Sequence, residues 1–237
     1  MDIPHTSEEI PVPDALRYRT ATEYAVATIK EWIFAGRLAP GERLDQFELG
    51  ERLGMSRAPV RTALERLAGE GLVDLLPHRG AIVTEISQQD MLDLYFVRNH
   101  LESLATRLAA SQLTAEQLDS LEHALTKTAA QVADGDLEAF LSTNRQFHML
   151  IYQAAGIPIL LRIINSLWDL SERYRRAYLQ ASARAQESTI EHRHILNLLR
   201  RRDADAAAAY MKEHNENTVR ALQPLIVTAA RSEAESP

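Results

Sequence analysis

Residues 47–73, "FELGERLGMSRAPVRTALERLAGEGLV" (Phe47 to Val73), hold two short apolar periodicities separated by one glycine and followed by a change of period. Phe47, Leu49 and Leu53 are the apolar positions of a first short helix, which Asp45 and Glu48 begin in the manner of a capping box and Gly54 ends. Ser56 stands where the N-cap of the next helix belongs, and Val60, Ala63, Leu64 and Leu67 recur at three-and-four spacing until Gly71. Two helices joined by so tight a turn read as a helix-turn-helix. Arg57 and Arg61, four residues apart, share the face opposite the apolar one. Such a face suits a major groove, where arginine can donate two hydrogen bonds to guanine or anchor a phosphate.

The flanks extend this reading. Upstream, "TATEYAVATIKEWIFAG" (residues 20–36) carries Tyr24, Ala25, Thr28, Ile29, Trp32 and Ile33 on one helical face and stops at Gly36. Downstream, "LVDLL" and "AIVTEI" are short apolar, β-branched runs joined by "PHRG", the pattern of a small hairpin. Gly80 gives that turn its unusual dihedrals, and Arg79 at the tip would reach the DNA backbone or the minor groove. Helix, helix, turn, helix and hairpin make a winged helix-turn-helix DNA-binding domain over residues 20–86. Residues 1–19, with prolines at 4, 11 and 13 and no periodic pattern, read as a flexible arm.

From Ser87 onward every segment has helical periodicity: about 88–111, 115–133, 136–155, 158–181, 184–201 and 204–223, then a polar tail. Thr114, Asp134-Gly135-Asp136, Gly156-Ile157-Pro158 and Asp203 mark the breaks. The expected fold class is mainly α: an N-terminal winged helix-turn-helix plus a C-terminal antiparallel bundle of six or seven helices over residues 87–230.

Composition narrows the chemistry. The 237 residues include no cysteine, which excludes disulfides, zinc–thiolate sites and thiol nucleophiles and leaves eight histidines and the carboxylates as metal ligands. The sequence has no long apolar run, and its acidic, proline-containing start lacks the features of a signal peptide, so a cytoplasmic protein without a membrane partner is expected. The net charge of −7 argues against nucleic-acid binding only until it is divided. Residues 15–80 carry ten Lys or Arg against nine Asp or Glu, so the acidity lies mainly elsewhere.

The run "LAPGERL…ELGERLGMSRAPVRTALERLAGEGLVDLLPHRGAIV" resembles the N-terminal domain of GntR-family bacterial transcription regulators. The resemblance implies operator binding through Arg57 and Arg61, with Ser56 and Pro59 in the same Ser-Arg-x-Pro-Val-Arg run and Arg79 and Gly80 in the wing. Ala58 stands where the family often has threonine, so one hydroxyl contact is missing. The helical half is similar to the FCD effector domain of the FadR-like subfamily, which implies a metal bound by Asn144, His148, His192 and His214 and a small organic acid as effector.

Geometry bears on each of these positions. Asn144 and His148 lie on the arc of Phe140, Leu141, Phe147, Ile151, Tyr152 and Ala155, one turn apart. His192 falls on the apolar side with Ile195, Leu196 and Leu199, whereas His194 points away. His214 shares a face with Ala207, Met211, Thr218 and Leu222. Asp203 is the midpoint of the hairpin between His192 and His214, which places both roughly 16 Å from the turn, at one level. Imidazole ligands make zinc the default, with nickel, iron or manganese as alternatives. An amide at 144, where the family more often has aspartate, leaves the ion its full charge to attract an anion. The buried-polar alternative is that Asn144 bonds a neighbour and no metal is held.

Arg98, on the inner edge of the stripe of Met91, Leu94, Leu101, Ala105 and Leu108, fits an effector carboxylate and equally an i+4 pair with Glu102. Arg162, Trp168, Tyr174 and Tyr178 are candidates for cavity lining or dimer surface. The expected protein is a homodimeric, ligand-responsive regulator, a repressor by family habit, acting on a palindromic operator. The alternatives are a metal-dependent enzyme and a DNA-binding protein whose helical half only dimerises. Against the enzyme stands the absence of an acid on the inner arcs beside the histidines.

Overall fold

The computed structural model of the protein describes residues 20–76, 80–85, 87–174 and 182–234. The expected arm at 1–19, Arg79 at the wing tip and Tyr178 lie outside the described residues. Contacts divide the chain into two units, residues 1–85 and 86–237.

In the first unit, α1 (Ala21–Phe34) starts at Thr20, whose side chain accepts from the Glu23 N–H at 3.1 Å. Its Ala25, Ile29 and Trp32 pack on α3 (Arg57–Gly69), where Val60, Ala63, Leu64 and Leu67 are fully buried. Burying each such Leu contributes about 1.5–3 kcal/mol, so this α1–α3 seam is the main support of the unit. Between them lies α2 (Gln46–Leu53), capped by Asp45 Oδ1, which accepts from Phe47 N at 2.8 Å and Glu48 N at 3.0 Å.

The turn after α2 depends on two glycines. Gly54 has φ 65°, and a Cβ at Gly50 would stand 2.8 Å from the Met55 carbonyl oxygen. The sequence reading named only the first. Two of its details are corrected. Ser56 occupies the N-cap position of α3, but its side chain makes no capping hydrogen bond. Phe47 is 59% exposed, because it sits on the side of α2 away from the core that Leu49 and Leu53 enter.

The hairpin consists of β2 (Val73–Leu76) and β3 (Gly80–Val83), with Val73 opposite Val83 and Leu76 opposite Gly80. A third strand, β1 (Arg43–Leu44), pairs antiparallel with β3, giving the order β1-β3-β2. Two residues are too few to show a period, and this strand is defined by its partner rather than by its own pattern. Gly80 has φ 90°, as the hairpin required.

Among the described residues the second unit is helical: α4 (Gln88–Gln112), α5 (Ala115–Ala133), α6 (Leu137–Ala154), α7 (Pro158–Ser171), a 3-10 turn (Glu172–Tyr174), α8 (Ser182–Arg200) and α9 (Ala204–Ala234). Local chemistry sets the starts. Ser87 Oγ accepts from Asp90 N, Thr114 and Gln117 form a reciprocal capping box, and Asp136 and Asp203 cap α6 and α9. Pro158 opens α7, where its missing N–H is of no consequence.

Two boundaries differ from expectation. Of the helix expected over 158–181, α7 ends at Ser171 and tightens into the 3-10 turn with no glycine or proline to announce it, while 175–181 lie outside the described residues. The last helix, expected to stop near 223, continues through Pro224 to Ala234 in place of a polar tail. α4 packs against α6, α7 and α9, while α5 packs against α6 and α8. The shared core includes Ala105, Phe147, Ile151, Ile195, Leu196 and Met211, all fully buried. Among the described residues, no helix is long and apolar enough to cross a membrane.

Candidate functional site

Three histidines from three helices meet inside the second unit. His148 on α6, His192 on α8 and His214 on α9 are 1%, 0% and 4% exposed. His148 Nε2 lies 3.1 Å from His192 Nε2, which lies 3.4 Å from His214 Nε2. Metal–nitrogen bonds of about 2.0–2.1 Å at near-tetrahedral angles hold two ligand nitrogens about 3.1–3.4 Å apart. Both separations from His192 match a shared ion, and the three ligand atoms, all within 4.8 Å of one another, form a cluster able to hold one. His194 is exposed and stacks on Tyr210, with ring centroids 4.2 Å apart, outside the cluster.

The far side of two rings explains why their Nε2 atoms are available. His148 Nδ1 is 3.1 Å from the Tyr152 hydroxyl, which donates its proton to Glu102 Oε2 at 2.6 Å and so can only accept from the histidine. His214 Nδ1 is 2.6 Å from Glu191 Oε2. Each partner is an acceptor, which favours the proton on Nδ1 and a lone pair turned inward on Nε2. His192 Nδ1 is buried without a hydrogen-bond partner. Burial, then the charges of the neighbouring histidines and arginines, push His148 and His192 well below the usual histidine range. Burial also lowers His214, against the opposing pull of Glu191. All three are neutral near pH 7, the form that binds metal.

Two buried acids stand beside the cluster, which corrects the expectation that none did. Glu102 is fully buried and accepts four bonds, from Arg98 Nε at 2.6 Å, Trp168 Nε1 at 2.9 Å, Tyr152 at 2.6 Å and Asn215 Nδ2 at 2.9 Å. Glu191 accepts from Arg184, from Asn217 Nδ2 at 2.5 Å and from His214. Burial opposes its ionisation, but the bonds from His214 and Arg184 outweigh that and hold the carboxyl at about 2. Helical periodicity missed both, because α4 is covered on several sides and has no single inner arc, and Glu191 faces α9 while its neighbour His192 faces α6.

A cleft partly open to solvent reaches His148 and His214. Asn144, His148 and His214 line it together with Arg98, Trp168 and Thr218. Asn144 is 9% exposed, and its Oδ1 is buried with no hydrogen-bond partner. An amide oxygen left bare one turn from His148 is the observation that fits a missing ligand. Of the two readings of Arg98, the Glu102 pair is present, and the same guanidinium lies between the rings of Tyr95 (4.6 Å) and Trp168 (4.3 Å) on the cleft wall. Trp168 and Tyr174 line the cleft, whereas Arg162 is exposed and is not part of its lining.

On the first unit, Ser56 and Arg57 are exposed at the start of α3, and Pro59 is half-buried one turn in. Arg61 is exposed and only loosely approached by Glu65, at 3.8 Å. A solvated pair of that length contributes little, so Arg61 remains available to another anion. Gly80 is exposed at the edge of the hairpin.

A winged helix-turn-helix with outward arginines, joined to a helical unit enclosing a histidine cluster and a cleft, defines a DNA-binding regulator. Family models agree for both parts: "Bacterial regulatory proteins, gntR family" matches residues 21–83 and "FCD domain" matches residues 93–217. The chain belongs to the GntR family of bacterial transcription regulators, with an FCD domain as its helical half. It is a regulator rather than an enzyme.

Among its relatives, the HTH-type transcriptional regulator McbR of Escherichia coli is 35% identical over 140 residues, 59% of this chain and 63% of that protein. The HTH-type transcriptional repressor RspR of Escherichia coli is 30% identical over 177 residues, 75% of this chain and 78% of that one. The solved structure of Escherichia coli McbR/YncC superposes with a TM-score of 0.76 at 28% identity, covering 88% of this chain and 99% of that chain. A GntR-type regulator from a Rhodococcus species shares the fold, with a TM-score of 0.71 at 20% identity over 88% and 98% of the two chains.

Proposed function

We propose that the protein is a cytoplasmic, homodimeric repressor whose helical unit binds a divalent metal and a small carboxylate effector that together set its affinity for a palindromic operator. The observation that carries this reading is the convergence of three neutral, buried histidines on one point at the wall of an accessible cleft. His148, His192 and His214 would hold the ion, with Asn144 as the fourth ligand and zinc as the expected metal. Held by neutral ligands, the ion supplies its positive charge to the cleft, on whose wall lies the guanidinium of Arg98 in its pair with Glu102. A carboxylate of a few carbons suits that arrangement. Repression is supported by the name of RspR, a relative described as a repressor. The test is native mass spectrometry with elemental analysis of the full-length protein. One divalent ion per chain and a co-purifying small acid are expected, and protein that carries neither overturns the sensor reading.

Two substitutions probe its parts. Asn144→Asp places a charged oxygen where an amide stands, so zinc should bind about tenfold or more tightly in a chelator competition. No gain would remove residue 144 from the ligand set. On the first unit, Arg57→Ala should weaken binding to the duplex enriched from a random library by roughly 5- to 150-fold in a gel shift, with the metal content unchanged. Unaltered affinity would remove Arg57 from the DNA-reading face.

A further inference from the structure

We infer that Glu191 is a positioning residue for metal binding: clamped by Arg184 and Asn217, it fixes the proton of His214 on Nδ1 and so keeps the Nε2 lone pair turned toward the other two histidines. The inference rests on the reading of the cluster as a metal site. Glu191 lies on α8, directly before His192, so one helix carries a proposed ligand and the group that orients another.

The clamp is defined on every side. Arg184, 2% exposed in the first turn of α8, donates from Nη2 to Glu191 Oε2. It donates also to the His214 carbonyl oxygen at 3.2 Å and to Thr218 Oγ1 at 3.2 Å from Nη2 and 3.3 Å from Nε. Asn217 Nδ2 donates to the other carboxyl oxygen at 2.5 Å. Both oxygens therefore receive N–H donors, and the carboxyl can face His214 Nδ1 at 2.6 Å only as an acceptor. The opposite tautomer would press a nitrogen lone pair against an oxygen lone pair at that distance. Arg184 Nη2 also comes within 3.3 Å of Nδ1 and could donate only to a bare Nδ1, but the shorter 2.6 Å contact of Nδ1 with the Glu191 acceptor calls for Nδ1–H, so the two are donors converging on one oxygen.

A purely structural alternative treats Arg184 and Glu191 as an ion pair tying α8 to α9. Glu191→Gln separates the two: with its oxygen kept on Asn217 Nδ2, the amide puts its NH₂ group at the position that His214 Nδ1 and Arg184 share, where it donates to Nδ1 while Arg184 keeps the His214 carbonyl oxygen and Thr218 Oγ1 as acceptors. That bond favours the Nε2–H tautomer, which cannot bind metal. The experiment uses the full chain stripped of metal, with ¹⁵N-labelled histidine, and reads the His214 tautomer by long-range ¹H–¹⁵N correlation. Zn²⁺ alone is then titrated against a competing chelator.

Wild-type His214 should show Nδ1–H. Glu191→Gln should move it to Nε2–H and weaken zinc about 10- to 100-fold, the usual effect of losing an orienting partner, while the melting curve of the metal-free protein reads the loss of the buried Arg184 pair separately. Zinc affinity equal to wild type overturns the inference, as does weakened affinity with an unchanged tautomer. An Nε2–H ring in the wild-type protein overturns it even where the variant does not fold. Wild-type protein that takes up no zinc sinks the metal reading, while the tautomer arm still decides whether Glu191 sets the His214 proton.

Discussion

Glu102→Leu is expected to destabilise the helical unit by about 3–5 kcal/mol, the usual consequence of removing one partner of a buried ion pair. The carboxylate is fully buried, and its two oxygens accept four donors from α4, α6, α7 and α9. Leucine fills much of the same volume, so the loss comes from stranded polarity rather than from a cavity. In the wild type burial lowers the Arg98 pKa and Glu102 more than restores it; without Glu102 the guanidinium, 3% exposed, keeps its charge because arginine stays protonated inside proteins. Tyr152, Trp168 and Asn215 each lose an acceptor. In a unit of this size the melting temperature should fall by roughly 6–20 °C, read by circular dichroism on metal-free protein. A shift of a degree or two would mean that Arg98 finds water. The double variant Arg98→Met with Glu102→Leu should recover much of the loss, since removing both charges leaves neither unpaired.

His148→Ala should lower metal affinity at least about a hundredfold. Zinc held at structural sites of four ligands is bound by about 10–16 kcal/mol, so one ligand accounts for roughly 3 kcal/mol. Elemental analysis of protein purified without chelator should fall from one ion per chain to a small fraction. Equal metal in variant and wild type would sink the site. His194→Ala is the matched control on α8: the same residue type, exposed and stacked on Tyr210, and expected to leave the metal content unchanged. The pair of variants distinguishes coordination from nonspecific capture of metal by histidine.

The sequence made some of this legible because periodicity reports one face of a helix. His148, His192 and His214 each lay on a one-sided apolar arc, and the midpoint of the α8–α9 hairpin put the last two at one level, as their 3.4 Å nitrogen separation bears out. Glu102 and Glu191 escaped because each faces a neighbour that does not lie on its helix's apolar arc. The three-stranded order of the wing also stayed hidden, since Leu44 takes its strand conformation from Ala81 across the ladder. The end of α7 carries no breaker, so its position is set by tertiary packing around Tyr174, which is 2% exposed. Phe47 had the right spacing for a core residue on a helix of eight residues, too short for spacing to separate the two faces.

Arg98 has no conformational search left to make. Its guanidinium is fixed by Glu102 and by Ser171 Oγ at 2.8 Å and lies between two aromatic rings, so its rotamer entropy, about 2 kcal/mol for a free arginine, is spent when the chain folds. Under the proposed function, an anion entering the cleft would meet a guanidinium already in place beside its Glu102 partner and would lose only its own freedom. Discrimination among anions would then fall to their length and shape, because the wall cannot follow a ligand that does not fit.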